Sequence, residues 1–301
     1  MPQYKVKVRP EDVARRLDLF LAGFSNKNNL GFSRTFIQKL ILEGGVRVRG
    51  SKQAKSGYKL KANDEVSISL ADKEKNTLTP EDIPLEVVYE DKDLAVINKP
   101  SGLVVHPAPG NYEHTLVNAL LHHFKNLSDI NPQRPGIVHR LDKETSGLLV
   151  IAKNNFSHLA LSKQFAAHTI ERKYIAVVKG KVEYDEFVIE APIARHPVKR
   201  KNMAVSFGPT SKFAKTYYRT LKRTERFSLL ELKPFTGRTH QLRVHLAFSG
   251  HPILGDDKYG KAGVFGRLAL HAASLGFTHP ATGKFISFSC EVPEEFAALF
   301  K

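Results

Sequence analysis

A chain of 301 residues is long enough for one large domain and a smaller one, and its formal net charge of +16 favours a polyanionic partner through counterion release. No apolar run approaches bilayer-spanning length, the start Met1-Pro-Gln-Tyr-Lys has no secretory apolar region, and the lone Cys290 excludes an internal disulfide. The expectation is a cytoplasmic protein whose partner is nucleic acid rather than an anionic membrane, since neither a basic amphipathic helix with a broad apolar face nor a lipidation motif is found.

Residues 1–70 read as a small α+β domain. Glu11-Asp12 is expected to open a helix with Val13, Leu17, Phe20 and Leu21 on its apolar face and Arg15 and Arg16 on its polar side. Ser33 is the expected N-cap of a second helix packed through Phe36, Ile37, Leu40 and Ile41, ended by Gly44-Gly45, with Arg34 and Lys39 left outside. An edge strand over 46–50 and a hairpin-like return over 58–68 complete the domain. Through residue 72 there are 14 Lys and Arg against 7 Asp and Glu, an excess of 7, which suits a domain that docks on nucleic acid. Residues 71–84, polar, charged and proline-bearing, read as a linker.

The larger domain is placed at 85–301. Strands at 85–89 and 94–98 lead into Lys99-Pro-Ser-Gly102-Leu-Val-Val-His106, and a helix follows over 111–124. At its centre, Ile137 and Val138 enter as a short strand, the segment His139-Arg-Leu-Asp142-Lys-Glu-Thr-Ser146 turns, and Gly147 starts an apolar return through Ala152. A carboxylate fixed between cations such as Arg140 and Lys143 is favoured in its ionised form, which suits a nucleophile or base better than an acid.

Beyond it, Asn155 is expected to cap a helix bearing Phe156, Leu159 and Phe165, and residues 172–180 read as a strand carrying Tyr174. Residues 182–226 are irregular and β-like, with the basic run Arg195-His-Pro-Val-Lys199-Arg-Lys201 as a surface loop. After a strand at 227–232, Thr239 is the expected N-cap of a helix ending near Gly250, burying Leu242 and Leu246 with Arg243 on the neighbouring face. A hairpin about Pro280-Ala-Thr-Gly283 closes the chain.

Three other patterns lead nowhere. Gly255-Asp-Asp-Lys-Tyr-Gly260-Lys-Ala262 nearly spells a phosphate loop, but Ala262 lacks the hydroxyl that magnesium needs and Asp256-Asp257 would repel phosphate. His240, His245, His251 and His271 lack the companions and spacing of a metal site. His139, Asp142 and Ser146 lack the strand–nucleophile–helix elbow of a hydrolase. No metal or cofactor is therefore expected.

The segment from His139 through Val150 resembles the signature of the pseudouridine synthases that modify structured RNA, in the branch typified by the large-ribosomal-subunit enzymes. The resemblance implies an α+β fold with a mixed or antiparallel central sheet and peripheral helices. It implies that Asp142 is catalytic, that Arg140 fills the space of a flipped-out uridine, and that Tyr174 in its Arg-Lys-Tyr context stacks on the base. Arg243, in Gln-Leu-Arg, is implied to pair with Asp142, and Leu270 to line the uracil site. Residues 17–21, 33–34 and 41–46 resemble the alpha-L RNA-binding motif, and Arg15, Arg16, Arg34 and Lys39 are the candidate RNA contacts there. The activity implied is cofactor-free isomerisation of uridine to pseudouridine, with large-subunit ribosomal RNA as substrate and no obligate protein partner. A non-catalytic RNA-binding factor would share the charge but have little use for an acidic Asp142 facing RNA.

Overall fold

The structure, a computed structural model, describes residues 3–28, 30, 32, 34–49, 54–69, 78–108, 110–261 and 265–301. The expected Ser33 cap, residues 71–77 of the linker and Ala262 lie outside the described residues. The chain divides into two units, Met1–Thr77 and Leu78–Lys301.

In the first unit, strands β1 (Gln3–Lys7), β2 (Val46–Val48) and β3 (Glu65–Ser69) form an antiparallel sheet in the order β1-β3-β2. Helices α1 (Leu17–Lys27) and α2 (Arg34–Leu42) add Leu17, Phe20, Leu21, Ile37, Leu40 and Ile41 to one core with Val46, Val48 and Val66. The first helix starts later than expected. Pro10–Asp12 make a single 3-10 turn and Ala14 takes a left-handed φ of 65°, so helical hydrogen bonding cannot run through from Glu11 and Val13 is left exposed. The expected return over 58–68 is strand only from Glu65. The pairing of β1 with β3 was not anticipated.

The second unit is built on nine strands. In chain order these are β4 (Glu86–Glu90), β5 (Leu94–Lys99), β6 (Ser146–Ala152), β7 (Glu171–Lys179), β8 (Glu186–Glu190), β11 (Lys215–Arg223), β12 (Phe227–Pro234), β13 (Leu270–Thr278) and β14 (Phe285–Ser289), with β9 (Ile193–Arg195) and β10 (Met203–Val205) forming a separate hairpin. The large sheet runs β4-β5-β6-β13-β7-β12-β11-β8, and β14 pairs with β13. Every pairing in it is antiparallel except β6 with β13, so the sheet is mixed. That parallel contact demands Gly147. At its φ of 109° a Cβ would stand 2.3 Å from the carbonyl oxygen of Ala272, inside any allowed contact.

Helices α3 (Leu116–His123), α4 (Asn155–Ala166), α5 (Gln241–Phe248) and α6 (Glu294–Ala298) complete the unit. Helix α3 starts at a capping box in which Thr115 and Asn118 satisfy each other's backbone ends. Strand β6 is buried along its whole length between two apolar clusters, one with Leu116, Val117 and Leu120 of α3, the other with Leu161 of α4 and Phe277 of β13.

Four expectations are corrected here. Ile137 meets Ile151 through an isolated bridge rather than a continuous strand. Asn154, not Asn155, caps α4 by accepting from the Ser157 amide, while Asn155 bonds Ser128 and Asp129. Phe156 and Leu159 are each 62% exposed, and α4 buries Ser157, His158 and Leu161 instead, because its apolar residues are spread round the helix and no stripe dictates a face. At α5 the N-cap is His240, in a left-handed conformation at φ 54°, rather than Thr239.

Candidate active site

Residue types that need rigid support stand on, or next to, regular elements of the large sheet and helix α5. Asp142 lies in the turn just before β6; Tyr174 sits on β7, Leu270 opens β13, and Arg243 is in the first turn of α5. With Arg140 they line one cavity of about 490 Å³, whose wall also includes His139, Phe165, Arg172, Arg238 and His240. The five residues singled out in this domain are thus brought together from segments spread over 130 positions, 140 to 270.

The Asp142 side chain is 19% exposed and faces two nitrogen groups. Arg243 Nη1 is 3.6 Å from Oδ2, and His240 Nε2 is 3.9 Å from Oδ1. Arg243 reaches Asp142 through Nη1 alone, and its bidentate partner is Asp256, which accepts from Nε at 2.8 Å and from Nη2 at 2.7 Å. Both are buried, and α5 aims the guanidinium so that one edge meets Asp256 and only Nη1 turns to the cavity. Burial pushes the Asp256 carboxyl up, yet the hydrogen bonds and charge of Arg243 outweigh it and hold the group below its usual range. Arg238 donates from Nε to the Phe213 carbonyl and makes no ion pair among the described residues.

The loop carrying Asp142 is pinned from behind. Lys99 is fully buried and its ammonium donates to the carbonyls of Pro100, Leu103 and Lys143 at 2.8, 2.9 and 3.0 Å. Burial pulls its pKa down to about 7, against the opposing charges of Glu144 and Asp142. Ser101 Oγ adds a bond to the Glu144 carbonyl. Burial pushes the Tyr174 phenol up, so its neutral form dominates near neutrality. His139 accepts from the Val150 amide and stacks on Phe165 with ring centroids 4.3 Å apart; burial drops its pKa to about 3.

These contacts dispose of the other patterns. Ser146 bonds His271, not His139, and no hydrolase relay forms. His245 is bonded to Thr216 and the Ala191 carbonyl, and His251 to the Lys179 carbonyl. Among the described residues one grouping with ligand-like proximity exists, Asp91, Asp93 and His279. There His279 Nδ1 accepts from the amides of Ala281 and Thr282, so the ring proton is on Nε2 and is given to Asp91 at 2.7 Å, a hydrogen-bonded turn.

In the first unit, each cation chosen as an RNA contact has an acidic neighbour. Arg16 and Arg34 both pair with the buried Asp18, at 3.0 and 2.9 Å, Lys39 with Glu43 at 3.6 Å, and Arg15 with Asp12. Roughly half or more of each side chain stays open to solvent.

A sequence model described as RNA pseudouridylate synthase matches residues 93–248, the span that holds Asp142, Tyr174 and Arg243. The chain belongs to the RNA pseudouridylate synthase family. It is 43% identical over 304 residues to an uncharacterized RNA pseudouridine synthase of Bacillus subtilis (strain 168), covering 100% of this chain and 98% of the relative. It is likewise 43% identical over 314 residues to ribosomal large subunit pseudouridine synthase D of Zymomonas mobilis, with 100% and 98% covered. The solved structure of human RNA pseudouridylate synthase domain containing 1 aligns over 70% of this chain and 84% of its own with a TM-score of 0.59 and 26% identity. As an RNA pseudouridylate synthase the protein is an isomerase, with the mixed α+β sheet that the family resemblance implied. No helix among the described residues is long and apolar enough to cross a membrane.

Four residues of this pseudouridylate synthase cavity and its backing escaped the sequence reading: Arg172, His240, Asp256 and Tyr259. Arg172 Nε is buried without a partner among the described residues, and its Nη2 reaches the Pro234 carbonyl. A usable signal was its position two residues before Tyr174, on the same face of β7.

Proposed function

We propose that this synthase converts uridine to pseudouridine in large-subunit ribosomal RNA, in the cytoplasm, with Asp142 as the catalytic carboxylate. The observation that carries this is the meeting of Asp142, Arg243, Tyr174, Arg140 and Leu270 in one cavity, with a nitrogen group facing each carboxylate oxygen. Likeness to synthase D relatives supports the choice of ribosomal RNA.

The reaction detaches uracil from C1′ of the ribose, turns the base and rejoins it through C5, with no net oxidation. A reactive carboxylate beside the sugar and a closed pocket for the free base are what it requires. Arg243 Nη1 favours the ionised carboxylate, Tyr174 offers a flat face for the base, and Leu270 gives the pocket an apolar wall. Arg140, exposed at the cavity mouth, takes the place of the extruded nucleotide and offsets part of the unstacking cost, on the order of a few kcal/mol. The hairpin of β9 and β10 presents Arg195, Lys199, Arg200 and Lys201 to backbone phosphates. Residues 1–70 act as an alpha-L RNA-binding domain, linked to the catalytic domain through 71–84.

The test is pseudouridine mapping of ribosomal RNA from cells lacking the protein, restored by the wild type or by Asp142→Asn. Sites that vanish and return only with the wild type support the reading. Restoration by Asp142→Asn would remove Asp142 from the chemistry.

A further inference from the structure

The stretch Gly255-Asp-Asp-Lys-Tyr-Gly260, which fails as a phosphate loop, lies directly behind the catalytic cavity. Gly255 takes φ 71° and lies so close to the Arg267 carbonyl that no side chain fits, which turns the chain so that Asp256 and Tyr259 both face α5. Asp256 Oδ1 caps the turn by accepting from the amides of Lys258 and Tyr259, and the same carboxylate holds Arg243. The Tyr259 ring lies over the Arg243 guanidinium at 5.2 Å.

The Tyr259 hydroxyl has two partners. It accepts from the Met203 amide at 2.8 Å, and it stands 2.7 Å from His240 Nδ1. A backbone N–H can only donate, so the hydroxyl oxygen is the acceptor there, and its own proton must find another site. Among the described residues His240 Nδ1 is the acceptor within reach. Burial keeps the phenol protonated and keeps His240 neutral, although Asp142 pulls the imidazole the other way. A neutral imidazole that accepts at Nδ1 carries its proton on Nε2, the atom 3.9 Å from Asp142 Oδ1.

We propose that Tyr259 is a positioning residue that fixes the tautomer of His240, so that the Nε2 proton faces the Asp142 carboxylate. Asp142 is then flanked by two N–H donors of different origin, Arg243 on Oδ2 and His240 on Oδ1. The loop 255–260 sets both, Asp256 through the arginine and Tyr259 through the histidine. His240 takes a left-handed conformation at φ 54°, uncommon for a residue other than glycine, and this backbone geometry sets the direction of its ring. The chain Met203 to Tyr259 to His240 also ties the seating of β10, next to the basic loop, to the orientation of a group at the carboxylate.

This inference rests on the reading of Asp142 as catalytic for its functional meaning, but its first test does not. Selective ¹⁵N labelling of histidine in the full chain, with the His240 signals assigned by their loss in His240→Asn, reports which ring nitrogen is protonated. A pyrrole-type Nε2 and a bare Nδ1 are expected at neutral pH; a protonated Nδ1 would overturn the proposal. Tyr259→Phe keeps the ring over Arg243 and deletes only the hydroxyl, and it should convert the His240 signals to a mixture of tautomers; an unchanged pattern would overturn it.

The second test is single-turnover conversion with RNA affinity measured alongside. Tyr259→Phe should lower the rate by up to about tenfold, as loss of the aligned His240 N–H beside the ionised Asp142 would, with affinity unchanged. His240→Asn suits the left-handed backbone but cannot reach Asp142, and should fall at least as far. His240→Gln, which places an amide N–H near the Nε2 position, should recover part of the loss. Tyr259→Phe in the His240→Asn background should cost nothing further, and an independent tenfold loss there would show that Tyr259 acts by another route. If Asp142→Asn still makes pseudouridine while the tautomer is as expected, the assignment of Asp142 falls and that of Tyr259 stands.

Discussion

Arg243 grips Asp256 with Nε and Nη2 and offers Asp142 only Nη1, 3.6 Å away. The arginine is therefore held by a residue that does not line the cavity, and its charge is shared between a structural carboxylate and the proposed catalytic one. A substitution at position 243 acts on both.

Arg243→Met should lose stability as well as activity, because it leaves the fully buried Asp256 without a counter-ion, a defect of about 3–5 kcal/mol. Adding Asp256→Leu removes the stranded charge and should recover most of the stability but none of the conversion. Arg243→Lys should keep part of both, since it restores charge without the planar fork. Arg238→Lys, at a residue whose side chain bonds only the Phe213 carbonyl among the described residues, should be milder than any of these. Urea unfolding and single-turnover conversion read the two effects separately. Full stability of Arg243→Met would mean that the buried pair does not hold the arginine.

Tyr174 distinguishes a stacking platform from a proton acceptor. Burial pushes its phenol up, which disfavours the phenolate that a base would need, and its hydroxyl makes no hydrogen bond among the described residues. Tyr174→Phe should thus keep conversion within a few-fold of the wild type, whereas Tyr174→Ala should lose about 1–3 kcal/mol of base stacking. Loss of conversion in Tyr174→Phe as severe as in Tyr174→Ala would assign the hydroxyl to the chemistry.

Lys99 predicts a pH dependence of stability. In the unfolded chain its pKa returns to about 10.4, while in the fold burial lowers it to about 7. Between these values the unfolded state binds a proton that the native state does not, so this group's contribution to stability rises with pH across that window and is least favourable below pH 7. Measured against Lys99→Met, the wild type should gain relative stability from pH 6.5 to pH 9.5 in urea unfolding. A constant difference would show that the three carbonyls keep Lys99 an ammonium throughout.

What could be read from the residues alone were the positions where backbone and chemistry coincide. Gly147 and the apolar run behind it mark a buried strand, and a charged turn fixed at its mouth marks a site. The histidine-to-glycine segment, the Tyr174 strand and the Arg243 helix each carry their own local pattern, so their convergence needed only the family's fold. The face of α4 was illegible because Phe156, Leu159, Leu161 and Phe165 point round the helix and only tertiary packing chooses among them. The burial of Asp256 was illegible for a related reason. A carboxylate beside another carboxylate looks solvent-facing in sequence, and its burial becomes tolerable only through an arginine 13 positions earlier on a different element. Lys99 is the same case, since the carbonyls that satisfy it include one 44 positions away.

The first unit predicts a salt dependence. Its Lys and Arg excess suits phosphate contacts, but Arg15, Arg16, Arg34 and Lys39 already stand beside Asp12, Asp18 and Glu43, so each has less charge to offer than an isolated cation. Each full phosphate contact contributes about 0.7–0.9 to the slope of log affinity against log salt. A fragment of residues 78–301, which has its own sheet and apolar clusters, should bind a short stem-loop of the substrate RNA with a shallower slope and convert it more slowly. Asp18→Asn in the full chain removes the charge shared by Arg16 and Arg34 while leaving acceptor oxygen for them, and should steepen the slope by up to about one contact. Filter binding across about 50 to 200 mM salt measures both. If the fragment keeps the full slope, the charge of the first unit does not reach RNA, and its role as an RNA-binding domain falls.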